Sequence, residues 1–155
     1  GQGASTSKQM ISFFLKKNPS IDLTYLSSLV DLYIKEAYIE GVNHDIAFAQ
    51  MCLETGYLKF GNQVGNNQNN FAGIGATDDG ARGNFFPSIQ IGVRAHIQHL
   101  KAYATKDNLR QTLVDPRFKY VKRGSATKLS DLVGKWSSDL NYDAKINRIL
   151  DQLFK

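Results

Sequence analysis

From Asn43 to Tyr57 the chain reads as a helix with almost no polar face, and such a segment has to be surrounded by others. Ile46, Ala47, Phe48, Ala49, Met51, Cys52 and Leu53 spread around its whole circumference. Asn43 is placed to cap its start, with Asp45 in the first turn against the positive end of the dipole. The neighbouring sequence offers the covering layers as further helices. Residues 22–40 carry Leu26, Leu29, Val30, Tyr33, Ile34 and Ala37 at steps of three and four, and Gly41 supplies the stop. An earlier helix, with Met10, Ile11, Phe13, Phe14 and Leu15, takes Ser5 or Ser7 as its cap and ends at Asn18 and Pro19. Another runs over about 88–105 through Ile91, Val93, Ala95, Ile97, Leu100 and Tyr103. Short helices are expected over 129–136 and 142–154, with 115–124 irregular.

The helical pattern vanishes between Phe60 and Pro87, where Gly61, Gly65, Gly73, Gly75, Gly80 and Gly83 alternate with Asn62, Asn66, Asn67, Asn69 and Asn70. A long loop is expected, then a short hairpin or flap turning at Asp78, Asp79 and Gly80. Loops of that length are more often functional than accidental. The 155 residues make one domain over 1–155, with residues 1–7 a flexible or trimmed end. No apolar run of about 18 residues occurs, so no membrane span is expected. Cys52 is the only cysteine, which rules out an internal disulfide.

The net charge of +5 is uneven. Residues 1–100 hold seven Lys/Arg against eight Asp/Glu, and residues 101–155 hold twelve against six. The basic final third suits an acidic polymer or an anionic envelope, and equally a plain solvated face. No nucleic-acid motif accompanies it, so no nucleic-acid partner is expected.

Three glutamates exist, Glu36, Glu40 and Glu54. The first two fall near the end of the second helix and read as partly solvated. Glu54 closes the most apolar helix, directly before the Gly/Asn-rich loop, with Gln50 one turn earlier on the same face. Burial disfavours its charged form, and the negative helix end pushes the same way. A raised pKa suits a general acid that keeps its proton near neutral pH, as glycosidic cleavage requires. The competing reading pairs Glu54 with a surface lysine and gives it no chemistry.

Five blocks in order resemble the bacterial endo-β-N-acetylglucosaminidases (mannosyl-glycoprotein endo-β-N-acetylglucosaminidase-like cell-wall hydrolases). The first runs from Ile39 through Gln50 to Leu53, Glu54, Thr55 and Gly56, similar to that family's catalytic helix. Asn69, Asn70, Phe71, Ala72, Gly73, Ile74 and Gly75 resemble its next block. Phe86 and Pro87 with residues 92–103, then Asp115 to Phe118 with Arg123 to Ala126, then Gly134 to Trp136 with Tyr142 and Lys145, resemble the rest. The likeness covers about 10–150. It implies a mainly α (α+β, lysozyme-like) fold, a helical lobe with a small β-hairpin or flap lobe bordering a substrate cleft. It implies hydrolysis of the β-1,4 bond after N-acetylglucosamine in peptidoglycan glycan strands, with Glu54 the catalytic glutamate and Tyr142 an active-site tyrosine. The work site is then secreted, periplasmic or in the cell envelope, and the protein a monomer without a cofactor.

Within that picture Gln50, Phe60, Asn69, Asn70, Phe71, Gly73 and Trp136 are the substrate-binding candidates. Amide groups can bond acetamido and hydroxyl groups, and aromatic faces can cover a sugar ring. Phe71 and Trp136 read as core residues just as well, and Gly73 as a backbone requirement. The second carboxylate of a two-acid glycosidase has candidates only in Asp78 and Asp79, which also read as turn residues. Otherwise the substrate's own 2-acetamido oxygen attacks the anomeric carbon. His96 and His99 share a helix face, but no further ligand or His-Glu-x-x-His motif makes a zinc site, so no metal is expected. Competing readings are a muramidase or lytic transglycosylase on the same polymer, and an inactive wall-binding module.

Overall fold

The computed structural model describes residues 2–60, 65–77 and 79–155. Among them are the helices α1 (Ser7–Lys17), α2 (Leu23–Glu40), α3 (His44–Thr55), α4 (Ile89–Ala104) and α5 (Tyr142–Leu153), with single 3-10 turns at Phe118–Tyr120 and Leu129–Leu132. The apolar helix lies at the centre, as its composition requires: α2, α4 and α5 all pack on α3, and α1 closes over α2 and α5. Ala47, Phe48, Ala49, Met51 and Cys52 are fully buried. The caps fall where the side chains allow them. The Asn43 side-chain Oδ1 accepts from the Asp45 and Ile46 amides, Asp22 caps α2, Ser88 caps α4, and Gly41 and Gly56 close α2 and α3 in the left-handed conformation.

Several local expectations shift. Thr6, not Ser5 or Ser7, caps α1, in a reciprocal box with Gln9. Ser5 is buried instead, its amide and hydroxyl bonded to the Asp45 carboxylate, which also takes the Ala4 amide at 2.7 Å. The 129–136 segment forms only one 3-10 turn, then a bridge between Val133 and Ser137. Glu36 and Glu40 are not solvated: both are buried. Arg94 Nε donates to Glu36 at 2.6 Å and Lys101 Nζ to Glu40 at 2.9 Å, so two ion pairs tie α2 to α4. Burial raises the Glu40 carboxyl. The bonds from the Arg110 amide, Lys101 and the Gln111 amide outweigh that and leave it below its ordinary value.

The fold is mainly helical, as expected. The β part is slighter: a single antiparallel bridge joins Ala76 to Arg82, and no strand forms among the described residues. Gly75, Gly80 and Gly83 take positive φ there and break the extended runs a ladder needs. Asn70 supplies what the ladder does not. Its fully buried amide donates to the Ile74 and Asn84 carbonyls and accepts from the Ala72 and Ile74 amides. The loop docks on α4 at Gly92, where a Cβ would lie 1.8 Å from the Asn69 carbonyl oxygen. Only glycine admits that approach.

Candidate active site

Glu54 sits in the last turn of α3, half-buried, with the loop 70–76 beside it. Its Oε2 lies 3.5 Å from where a Cβ on Gly73 would be, so any side chain there would touch that oxygen. Burial pushes the carboxyl up to about 7, and a hydrogen bond from Tyr142 offsets part of the rise. Tyr142 opens α5 and is almost fully buried. Its hydroxyl donates to Glu54 Oε1 at 2.9 Å and accepts from Gln50 Nε2 at 2.8 Å. Burial, then the Glu54 charge, raises the phenol well above its ordinary range, so it stays a donor.

Gln50 is fully buried on the same face of α3 one turn earlier. Its Oε1 lies 2.7 Å from His96 Nε2, and His96 Nδ1 lies 2.7 Å from the Tyr33 hydroxyl. Burial, with a smaller effect of His99, pushes His96 down to about 3, so the imidazole is neutral. The pair once weighed as a metal site is thus divided: His96 belongs to this network, and His99 Nδ1 lies 2.7 Å from Asp115 Oδ2. Among the described residues no group of three His, Cys, Asp or Glu side chains is spaced to hold a metal. Cys52 is buried, and burial raises its thiol, which removes it as a nucleophile.

Gly73 also borders an open depression of about 210 Å³, walled by residues 72–76 on one side and His99, Tyr103, Arg117, Tyr120 and Trp136 on the other. Trp136 is half-buried and meets His99 edge-on at 4.7 Å between centroids, so it serves both packing and the wall. The Arg117 guanidinium lies over the Tyr120 ring at 4.3 Å. A larger depression of about 420 Å³ lies where α2 ends against α4 and residues 126–132, and no candidate residue lines it. Glu54, Tyr142 and Gln50 line neither depression, and Gly73, beside Glu54 Oε2, is the link between them and the smaller one.

The other candidates are placed differently. Asn70 is committed at both ends to its own loop, and Phe71 is a core residue, 1% exposed. Asn69 holds a positive φ and donates to the Phe86 carbonyl at 3.1 Å. Phe60, also at positive φ, packs on the main core and lines neither depression. Asp79 is exposed, its carboxylate taking the Thr77 hydroxyl in the turn, and Asp78 lies outside the described residues. Sequence reasoning missed Tyr33, Tyr103, Arg117 and Tyr120, and weighed His96 as a metal ligand. Tyr33, His96 and Tyr103 sit at helical core spacing and look like packing. Arg117 and Tyr120 stand in an irregular segment whose signals were positive charge and, for Arg117, a family-like block that assigned it no role.

Comparison with known proteins gives an independent line. Residues 30–155 match the family model described as mannosyl-glycoprotein endo-beta-N-acetylglucosaminidase. A protein of Borreliella burgdorferi that carries no functional description is 49% identical over 154 residues, which is 99% of this chain and 76% of the relative. No solved structure matches.

Proposed function

Because the chain belongs to the glucosaminidase family and is a glycoside hydrolase of the peptidoglycan-degrading kind, we propose that it cleaves the β-1,4 bond between N-acetylglucosamine and N-acetylmuramic acid, with Glu54 as proton donor. The observation that supports this most is the Glu54 carboxyl itself: held up to about 7, bonded by Tyr142 at one oxygen and beside Gly73 at the other. A carboxyl in that state gives a proton to a leaving glycosidic oxygen at neutral pH. The depression beside Gly73 serves as the sugar cleft, with Tyr103, Tyr120 and Trp136 as ring faces for the apolar sides of the sugars. Substrate of this kind places the site of action outside the cytoplasm. No helix among the described residues is long and apolar enough to cross a membrane.

The second half of the reaction falls to the substrate. Asp79 is engaged by Thr77 in an exposed turn, so attack by the 2-acetamido oxygen on the anomeric carbon is the mechanism favoured here. Retention of anomeric configuration is expected, and inversion excludes it. The bond assignment is tested by mass spectrometry of digested peptidoglycan. New reducing ends of N-acetylglucosamine are expected, and anhydro-muramic ends would assign the chain to the transglycosylases instead.

Tyr120 offers a clean test of the cleft, since its ring is 63% exposed and supports no core. Tyr120→Ala is expected to raise KM about 3- to 10-fold, the worth of one aromatic stacking contact, with the unfolding midpoint unchanged. An unchanged KM would remove this wall from the binding site.

A further inference from the structure

The hydrogen bonds behind Glu54 form one unbranched line through four elements. Tyr33 of α2 meets His96 of α4, His96 meets Gln50 of α3, Gln50 meets Tyr142 of α5, and Tyr142 meets Glu54, at 2.7, 2.7, 2.8 and 2.9 Å. Tyr33, His96 and Gln50 are each fully buried, so no water completes their bonding. The line therefore has a direction. The Tyr33 hydroxyl has one partner among the described residues, His96 Nδ1. A buried hydroxyl hydrogen without an acceptor is costly, so Tyr33 donates. A neutral imidazole that accepts at Nδ1 carries its hydrogen at Nε2 and donates there. Gln50 must then present Oε1 to His96 and its amide hydrogens to Tyr142. The Tyr142 oxygen accepts from Gln50, and its one hydrogen points to Glu54 Oε1.

We propose that Tyr33, His96 and Gln50 are positioning residues forming a one-way relay that keeps the Tyr142 hydrogen on Glu54 Oε1 and so places the acid proton of Glu54 on Oε2, the oxygen beside Gly73. The inference rests on the reading of Glu54 as the acid and adds which of its oxygens delivers the proton and what selects it. An oxygen that accepts from Tyr142 is the carbonyl-like one, which leaves Oε2 to bear the hydrogen. When Oε2 releases it to the glycosidic oxygen, the charge that develops on the carboxylate is met by a donor already aimed at Oε1. The titratable groups facing this carboxyl are Tyr142 from α5 and, behind it, His96 from α4 and Tyr33 from α2. Burial and the Tyr142 bond are the influences that set its proton affinity, with no charged side chain contributing.

The direction is read on the unaltered protein by nitrogen-15 NMR of the His96 ring. The Nε2–H tautomer, neutral down to at least pH 5, is expected. An Nδ1–H tautomer or a protonated ring overturns the proposal. The coupling is read in His96→Met, which substitutes an acceptor for the donor. Gln50 is then expected to turn its amide, offer Oε1 to Tyr142 and draw the Tyr142 hydrogen away from Glu54. The Glu54 midpoint, followed by carbon-13 NMR, should move up by about 1 and kcat fall about tenfold, as for the loss of one hydrogen bond to a charged group, with KM unchanged. An unmoved midpoint in a folded His96→Met variant also overturns it. If this variant does not fold, the tautomer measurement decides alone. Neither NMR reading depends on hydrolysis. A chain that cuts no glycan but shows the tautomer and the moved midpoint keeps the relay and loses the glycosidase assignment. An active chain that loses activity in Glu54→Gln but has the wrong tautomer does the reverse.

Discussion

Glu54→Gln is expected to lower peptidoglycan hydrolysis by about 10²- to 10⁴-fold, the range for removing a general acid. The amide keeps the shape of the side chain and still accepts from Tyr142, but has no proton to give. The same substitution should change stability with a definite sign. The Glu54 carboxyl stands at about 7 against an ordinary 4.5, so the folded state favours its protonated form. A group raised in this way contributes stability fully below 4.5, and that contribution is lost as pH rises through about 7. Glu54→Gln avoids this loss, and its stability advantage over the unaltered protein should grow between those limits and level off above. Hydrolysis by the unaltered protein should fall on the alkaline side with a midpoint near 7, as Glu54 loses its proton. Digests followed by reducing-end release from pH 5 to 9, with urea melts over the same range, check both. A flat alkaline limb, or full activity in the variant, would remove Glu54 from the chemistry.

Lys101→Met should be the costliest single change to the fold. Lys101 is 2% exposed, and its ammonium donates to Glu40 Oε1 at 2.9 Å and to the Asn108 carbonyl at 3.0 Å. Methionine fills similar space and leaves the Glu40 carboxylate buried, with only the Arg110 and Gln111 amides to hold it. Breaking one side of a buried pair costs about 3–5 kcal/mol, which for a chain of this size lowers Tm by roughly 10 °C. The Glu40 carboxyl lies below its ordinary 4.5, so its contribution is present above that value and is lost as pH falls through the lower one. Lys101→Met should therefore be less acid-sensitive than the unaltered protein as well as weaker. A loss under about 1 kcal/mol in urea melts would mean that water reaches the pair despite its burial.

The helices were legible because their signals are local. Asn43, Gly41 and Gly56 act within one turn, and the apolar pattern of residues 44–55 demanded cover whatever supplied it. Glu36 and Glu40 were misread as solvated because their partners lie on another helix. Four residues apart on α2, they face Arg94 and Lys101, seven apart on α4. One helix turn against two is a pattern that a sequence displays only once the helices are known to be neighbours. Asn70 was read as a sugar contact because loop amides do that work in clefts, and Phe71 as a sugar contact or a core residue. Here Asn70 replaces the bonds of a missing ladder, and Phe71 fills the core under it. Glu54 stood out for the opposite reason: an acid at the end of an apolar helix is anomalous in one dimension as well as in three. The far end of the line from Tyr33 to Glu54 leaves no such trace, because Tyr33 and His96 sit at ordinary core spacing on their own helices.

Carbon-13 labelling of the glutamate side-chain carboxyls gives three signals to follow, Glu36, Glu40 and Glu54, with Glu54→Gln identifying its own by loss. Titrated in the unaltered protein, the Glu54 signal should turn over near pH 7 while the Glu40 signal stays ionised well below it. A Glu54 midpoint near 4.5 would mean a carboxylate already without its proton at neutral pH, and would contradict its role as the acid.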